Sequence, residues 1–216
     1  MVIAAEVSRW SAYIQGLQQE MKGEIPPPFA AVRTLIEEYL GEMESDSPIL
    51  DVGCETGKHA LPLIVTGEKV VLMDIAPNAI ECTQENLKKK GRLGGVAGTI
   101  SGKIEELDPK WGPFKAVVGG YVFSFVPRRR FEKMMRENVL GRIEPRGFFA
   151  GGFFGKEHAW AVNSQLCCVG EEELEALFGA AGFEICAIAE NRKMEETVLD
   201  GEQCFHTIEL VARRRG

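Results

Sequence analysis

From Ile49 onward, short apolar runs alternate with stretches of helical pattern, and that alternation leaves few folds open. Pro48 to Gly53 reads as a buried strand and Gly57 to Val65 as a helix closed by Gly67. Lys69 to Met73 is a second strand. The helix after it carries Pro77 in its first turn and ends at Gly91, the placement those two residues favour. Gly95 to Ile100 reads as a third strand, Phe114 to Val118 as a fourth, and Arg130 to Ile143 as a helix. Phe148 to Phe153 is a fifth strand, followed by a helix over Glu171 to Ala181 that Gly182 closes. Two strand-like runs, Phe183 to Glu190 and Phe205 to Ala212, can pair as a closing hairpin. Strands alternating with helices imply an α/β class, a doubly wound and mostly parallel sheet with helices on both faces.

The residues before Ile49 have a different period. Val7, Trp10, Ile14, Leu17 and Met21 recur at steps of three and four, the stripe of an amphipathic helix, and Pro26-Pro27-Pro28 stops it. Ala31, Leu35, Tyr39 and Leu40 mark one side of a second helical stretch. Neither is long enough for a domain. Residues 1–45 therefore read as a helical preface to a core at 46–216, all within one domain.

Bulk properties exclude several roles. With 25 basic and 32 acidic residues the net charge is −7, against what phosphate binding requires, so no nucleic-acid partner is expected. The runs Lys88-Lys89-Lys90, Arg128-Arg129-Arg130 and Arg213-Arg214-Arg215 read as solvated faces. The longest uncharged apolar stretch, Gly147 to Gly155, falls far short of the roughly 20 residues that span a bilayer. Met1 to Ala5 meets Glu6 at once, which does not make a signal peptide. Six cysteines form no C-x-x-C pair and three histidines lie scattered, so no metal site is expected. Reduced thiols in the cytoplasm follow as the default.

The sharpest chemical signal is Ile49-Leu50-Asp51-Val52-Gly53-Cys54-Glu55-Thr56-Gly57-Lys58, an apolar strand entering a tight glycine turn and then a helix. In a doubly wound sheet ligands bind beyond the carboxyl ends of the strands, where glycine lets them approach the backbone. Asp74 ends the second strand, and a carboxylate there can accept hydrogen bonds from both hydroxyls of a ribose. Loop and carboxylate together indicate a nucleoside-containing ligand. A dinucleotide fingerprint would need glycine where Glu55 and Lys58 stand, and a carboxylate beside a pyrophosphate repels it. An NAD-dependent oxidoreductase is thus disfavoured. S-adenosylmethionine has no phosphate and carries positive charge, which tolerates Asp51 and Glu55 nearby.

The run from Asp51 to Gly57, with Asp74 behind it, resembles the class I S-adenosylmethionine-dependent methyltransferases. The resemblance extends through Phe114 to Tyr121 and the turn Ile143-Glu144-Pro145-Arg146-Gly147, covering roughly residues 30 to 214. The later part is loosely similar to the tellurite-resistance-type small-molecule methyltransferases, in Phe153-Phe154-Gly155 to Ala159-Trp160-Ala161, in Glu171 to Leu177, and in His206 to Arg213.

The resemblance implies a Rossmann-like sheet of seven strands whose last two form a hairpin with one antiparallel strand. It places Gly53, Cys54, Glu55 and Thr56 at the methionine half of the cofactor, with Asp51 and Gly57 also binding it, and Asp74 with Ile75 at the ribose and adenine. Lys103 and Ile104 would flank the adenine, and Gly119, Gly120 and Tyr121 the sulfonium. The implied activity is methyl transfer to a small-molecule acceptor. Four residues depart from the pattern: Glu55 for a second glycine, Lys103 for an acid that reaches the adenine amine, Lys115 for an aspartate, and Arg146 for a turn glycine. The last two read as surface changes. An ammonium at 103 cannot accept from the adenine amine, though Glu105 or Glu106 could. A non-catalytic module with weakened cofactor binding is therefore the rival reading.

Other residues stay open between packing and function. Trp10 and Tyr13 either pack into the core or cover the cofactor as a lid. Phe123 and Phe125 read as core, Trp160 as core or acceptor pocket, and His158 as an exposed loop histidine. No general base is singled out, so no catalytic residue is assigned; soft or already ionised acceptors need none.

Overall fold

The computed structural model describes residues 2–21, 24–163, 165–197 and 201–216. Helix α1 spans Val2–Met21, and α2, Ala30–Thr34, continues through a π turn at Leu35–Tyr39 and a 3-10 turn at Leu40–Glu42. Then follow β1 (Ile49–Val52), α3 (Ala60–Val65), β2 (Val70–Asp74), α4 (Pro77–Lys89) and β3 (Val96–Ser101). Next come β4 (Phe114–Gly119), α5 (Arg128–Met134), β5 (Ile143–Phe154), α6 (Glu171–Ala180), β6 (Phe183–Thr197) and β7 (Gly201–Arg214). The seven strands form one sheet in the order β3-β2-β1-β4-β5-β7-β6; the seven strands and the closing hairpin are as the resemblance implies.

β1 pairs in parallel with both β2 and β4, and every residue of these three strands is buried, which is why they read as unbroken apolar runs. β3 at the edge alternates between partly buried and exposed residues. The period of two divides the side chains between two cores. Leu50, Val71, Val117, Phe149 and Leu210 pack with Phe131, Met135 and Phe178 of the segments around α5 and α6. Ile49, Leu72, Val118, Phe148 and Val211 pack with Val32 of α2, Leu63 of α3 and Leu87 of α4. Ile14 of α1 makes a third, small cluster with Ala76, Ala79 and Cys82 at the start of α4.

Four elements differ from the sequence reading. α3 begins at Ala60 rather than near Gly57, because residues 55–59 still belong to the turn. α5 starts directly after Pro127 and ends in a π turn, Met135–Val139. β5 begins at Ile143 and absorbs the expected turn, with Arg146 in a left-handed conformation at φ 66°. The hairpin is longer than its apolar runs. β5 pairs with β7 only as far as Phe154↔Thr207, whereas β6 and β7 stay paired to Thr197↔Gly201. Those extra pairs project past the carboxyl end of β5 as a two-stranded arm.

Candidate functional site

The turn after β1 is built by short-range stereochemistry and held by α4. Gly53 and Gly57 adopt φ of 70° and 93°, which L side chains avoid, and Glu55 shares that region at φ 47°. The Gly53 and Cys54 N–H groups both donate to the Met73 carbonyl, binding the turn to the end of β2 (2.8 and 3.0 Å). From α4, the Thr83 hydroxyl donates to the Glu55 carbonyl at 3.1 Å and the Asn86 amide to the Thr56 carbonyl at 3.0 Å. Glu55 itself pairs with Lys58 at 2.7 Å, and the Lys58 ammonium lies 4.1 Å from the centre of the Phe29 ring.

Beneath the turn, Asp51 and His59 are fully buried, with Nδ1 of His59 3.3 Å from Oδ1 of Asp51. The other carboxylate oxygen of Asp51, Nε2 of His59 and the buried Thr56 hydroxyl have no hydrogen-bond partner among the described residues. Buried polar atoms are ordinarily satisfied, and three such atoms around one turn fit the polar groups of a ligand. Cys54 is also buried, and burial together with Asp74 and Asp51 pushes its thiol well above the ordinary range. It is a packing residue and no nucleophile.

Asp74 ends β2 with its carboxylate accepting from the Ala76 N–H at 2.9 Å and the Glu55 N–H at 3.2 Å. Burial outweighs both donors and pushes the carboxyl up to about 6. Ile75 is half-buried beside it, and Ile104, after β3, is buried. Lys103 forms an ion pair with Glu6 of α1. The same helix sends its Ser11 carbonyl to the Asn78 side chain (2.9 Å) and stacks Trp10 edge-on against Phe125 at 4.8 Å. α1 therefore runs from the Lys103 corner to the β4 exit. Trp10 is half-buried, whereas Tyr13 is 45% exposed.

β4 ends in Gly119 and Gly120. A Cβ on Gly120 would stand 2.3 Å from the Phe29 ring, so the ring rests directly on this backbone. Phe29 also contacts the rings of His59 (5.3 Å) and Tyr121 (4.8 Å). The Tyr121 hydroxyl donates to Oε1 of Glu209 on β7 at 2.8 Å, and the other oxygen of that carboxylate accepts from the Ala31 N–H at 2.8 Å. Burial and the Glu209 charge push the Tyr121 phenol above its ordinary value, so it stays neutral.

Beyond Tyr121 the site is aromatic. Tyr121 stacks on Phe154 at 5.5 Å; Phe154 meets Phe125, His158 and Trp160, and His158 meets Phe205 of β7. His158 is buried, contrary to the sequence reading of an exposed loop residue, because the Phe154 and Phe205 rings close over it. Its Nδ1 accepts from the Trp160 N–H at 3.1 Å, and burial holds the imidazole below its ordinary value. Phe123 is core as expected, while Phe125 remains half-exposed. Lys115 is not a surface change either: it is buried, with its ammonium held by Glu68 and by the Ser45 carbonyl at 3.1 Å.

The expected residues from Asp51 to Gly57, Asp74, Ile75, Lys103, Ile104 and Gly119 to Tyr121 thus line the carboxyl ends of β1 to β4. Sequence reasoning missed Phe29, His59, Thr83, Asn86 and Glu209. Thr83 and Asn86 lie three residues apart on α4 and so share a face, and Glu209 interrupts the apolar run of β7; both signals were present.

Comparison with known proteins agrees with this geometry. Residues 49–140 match the model of the methyltransferase domain. In that stretch, less than half of its length, the chain is similar to methyltransferase domains, in line with the class I resemblance. It is 29% identical over 134 residues to the ribosomal protein L11 methyltransferase of Citrifermentans bemidjiense, covering 60% of this chain and 40% of that one. To the same enzyme of Geobacter sp. strain M21 it is 30% identical over 103 residues, covering 47% of this chain and 30% of the relative. The chain thus spans less than half the length of these curated relatives. Two solved structures share the fold. TehB of Haemophilus influenzae superposes with a TM-score of 0.66 at 19% identity, over 82% of this chain and 60% of that one. Magnesium protoporphyrin IX methyltransferase of Synechocystis PCC 6803, with SAH bound, superposes with 0.70 at 15% identity over 98% and 99%.

Proposed function

We propose that the chain transfers a methyl group from S-adenosylmethionine to a small-molecule acceptor in the cytoplasm, a setting that suits its six free thiols. The carrying observation is the turn after β1, where Asp51, Thr56 and His59 present buried polar atoms without partners. An ammonium and a carboxylate at the methionine end of the cofactor would satisfy those atoms. Asp74 would accept from the ribose hydroxyls, with Ile75 and Ile104 against the adenine. With Glu55 matched by Lys58, Asp51 and Asp74 leave this end of the sheet negative, which favours a positively charged ligand. Lys103, neutralised by Glu6, would leave the adenine amine to other acceptors. Gly119, Gly120 and Tyr121 would face the sulfonium, and α1 would lie over the site as a lid.

When bound, the cofactor supplies an electrophilic methyl group. The protein's share is to hold the acceptor near it and keep water out, which can remove much of the barrier without an acid or base. A calorimetric titration tests the reading: S-adenosylhomocysteine, the demethylated product, binds in the micromolar range and NAD does not. Binding of NAD alone supports the oxidoreductase, and binding of neither supports the non-catalytic module.

A second reading, methylation of a ribosomal protein, has the names of the curated relatives in its favour. Methyl-labelled cofactor offered with purified L11 separates the two: label on L11 supports the protein acceptor, and its absence there the small molecule.

A further inference from the structure

The wall beyond the exits of β4 and β5 bears on which acceptor this enzyme takes, given the small-molecule reading above. Three elements far apart in the chain each contribute a ring: Trp10 from α1, Phe125 after β4, and Trp160 after β5. Phe125 sits among them, with Trp10 at 4.8 Å and 88°, Phe154 at 5.5 Å and 74°, and Trp160 at 6.4 Å and 60°. Trp160 in turn meets Phe154 edge to face at 5.6 Å. These are the favoured aromatic geometries, and they fix each ring in place.

Trp160 nevertheless remains 45% exposed, and its backbone N–H is tied to buried His158. A large ring held rigidly and left half-open is a preorganised contact face, because little freedom is lost when a ligand covers it. A cation does reach this wall, the Arg9 guanidinium at 5.7 Å from the centre of the Trp10 ring, but the polar groups around Phe154 and Tyr121 are neutral or engaged. His158 is neutral, Tyr121 is neutral, and both oxygens of Glu209 are engaged, one by Tyr121 and one by Ala31. A selenium or tellurium oxyanion needs a cationic or multiple-donor partner. Arg9 is a single cation packed on the Trp10 ring, Lys58 beside Phe29 is already paired with Glu55, and the Glu209 carboxylate repels anions.

We propose that this wall is the acceptor subsite and that it takes a flat, uncharged aromatic molecule stacked against Trp160 and Phe125. The inference rests on the small-molecule reading of the function. It departs from the soft inorganic acceptors to which the tellurite-resistance resemblance points.

Calorimetry on the full chain decides it, with 2-naphthol as the flat probe, decahydro-2-naphthol as a puckered one of similar size, and sodium selenite as the oxyanion. The flat probe binds about tenfold more tightly than the puckered one, the increment expected of aromatic contacts beyond area burial. Trp160→Ala removes that preference and leaves the affinity for S-adenosylhomocysteine within about twofold. Phe125→Leu, which keeps an apolar volume, weakens the flat probe in the same way and guards against a folding defect in the first variant. Equal affinities for the two naphthols, tighter binding of selenite, or no effect of either substitution overturns the proposal. Loss of S-adenosylhomocysteine binding with the naphthol preference intact counts against the methyltransferase reading instead.

Discussion

The half of the sheet from β1 to β3 and the half from β5 to β7 solve opposite problems. The first gathers carboxylates, a histidine and a hydroxyl at the strand ends and buries them with several atoms unpartnered. The second places rings at its strand ends and leaves polar groups either neutral or fully engaged. Buried polar atoms cost stability unless something satisfies them, whereas a ring wall is content with itself. One half therefore waits for a specific polar ligand, and the other offers shape and flatness. On the proposed function, with one constant molecule and one variable one to recognise, the chain gains from that separation.

The contrast can be broken from its apolar side first. Phe149 is fully buried between Phe123, Phe153 and Phe178, beneath the aromatic exit of β5. Phe149→Ala should lower unfolding free energy by about 3–5 kcal/mol in denaturant titrations.

On the polar side the signature is pH. The Asp74 carboxyl titrates near 6 in the folded protein and at the ordinary value of 3.8 when unfolded. A carboxyl raised on folding favours the protonated state. Its stabilising contribution is full below the unfolded value and is lost as pH climbs through about 6. The unliganded protein should lose up to about 3 kcal/mol between pH 4 and 7 from this group. Other carboxylates add their own slopes, so the difference between wild type and Asp74→Asn carries the measurement. The same variant should weaken S-adenosylhomocysteine about a hundredfold with its circular dichroism unchanged, since a charged acceptor for two hydroxyls is gone.

Smaller effects sharpen the boundary between the halves. Tyr121→Phe deletes the hydroxyl that Glu209 accepts from, at an expected cost of about 1–2 kcal/mol in thermal unfolding. Lys103→Met should matter least. Its partner Glu6 is 43% exposed, so the pair is worth under about 1 kcal/mol, and cofactor affinity should change by less than about threefold.

These halves were also unequally legible in the sequence. The strand, turn and helix around Gly53 are contiguous, so local stereochemistry announces them, and Asp74 stands a short step beyond. The Asp51–His59 contact hid in plain view, because only the fold shows that His59 turns back under the strand rather than outward on a helix. Tyr121, Glu209 and Ala31 come from three distant segments, and no local pattern links them. The arm of the hairpin escaped for another reason. Asn191, Arg192 and Lys193 carry no apolar alternation, since beyond β5 there is no core face for a strand to bury. Lys115 misled because a lysine in a strand suggests an edge, while Glu68 and the Ser45 carbonyl make its burial tolerable.

The placement of β7 between β5 and β6 has a consequence for how the molecule is made. Glu209 on that strand anchors the first turn of α2, across 178 positions of sequence. A ribosome delivers the turn after β1 early, and α2 before it, but the carboxylate that seats α2 emerges only with β7. The nascent chain can thus shape its glycine turn long before it can close the roof over it. The closed form of this site exists only once β7 has been made.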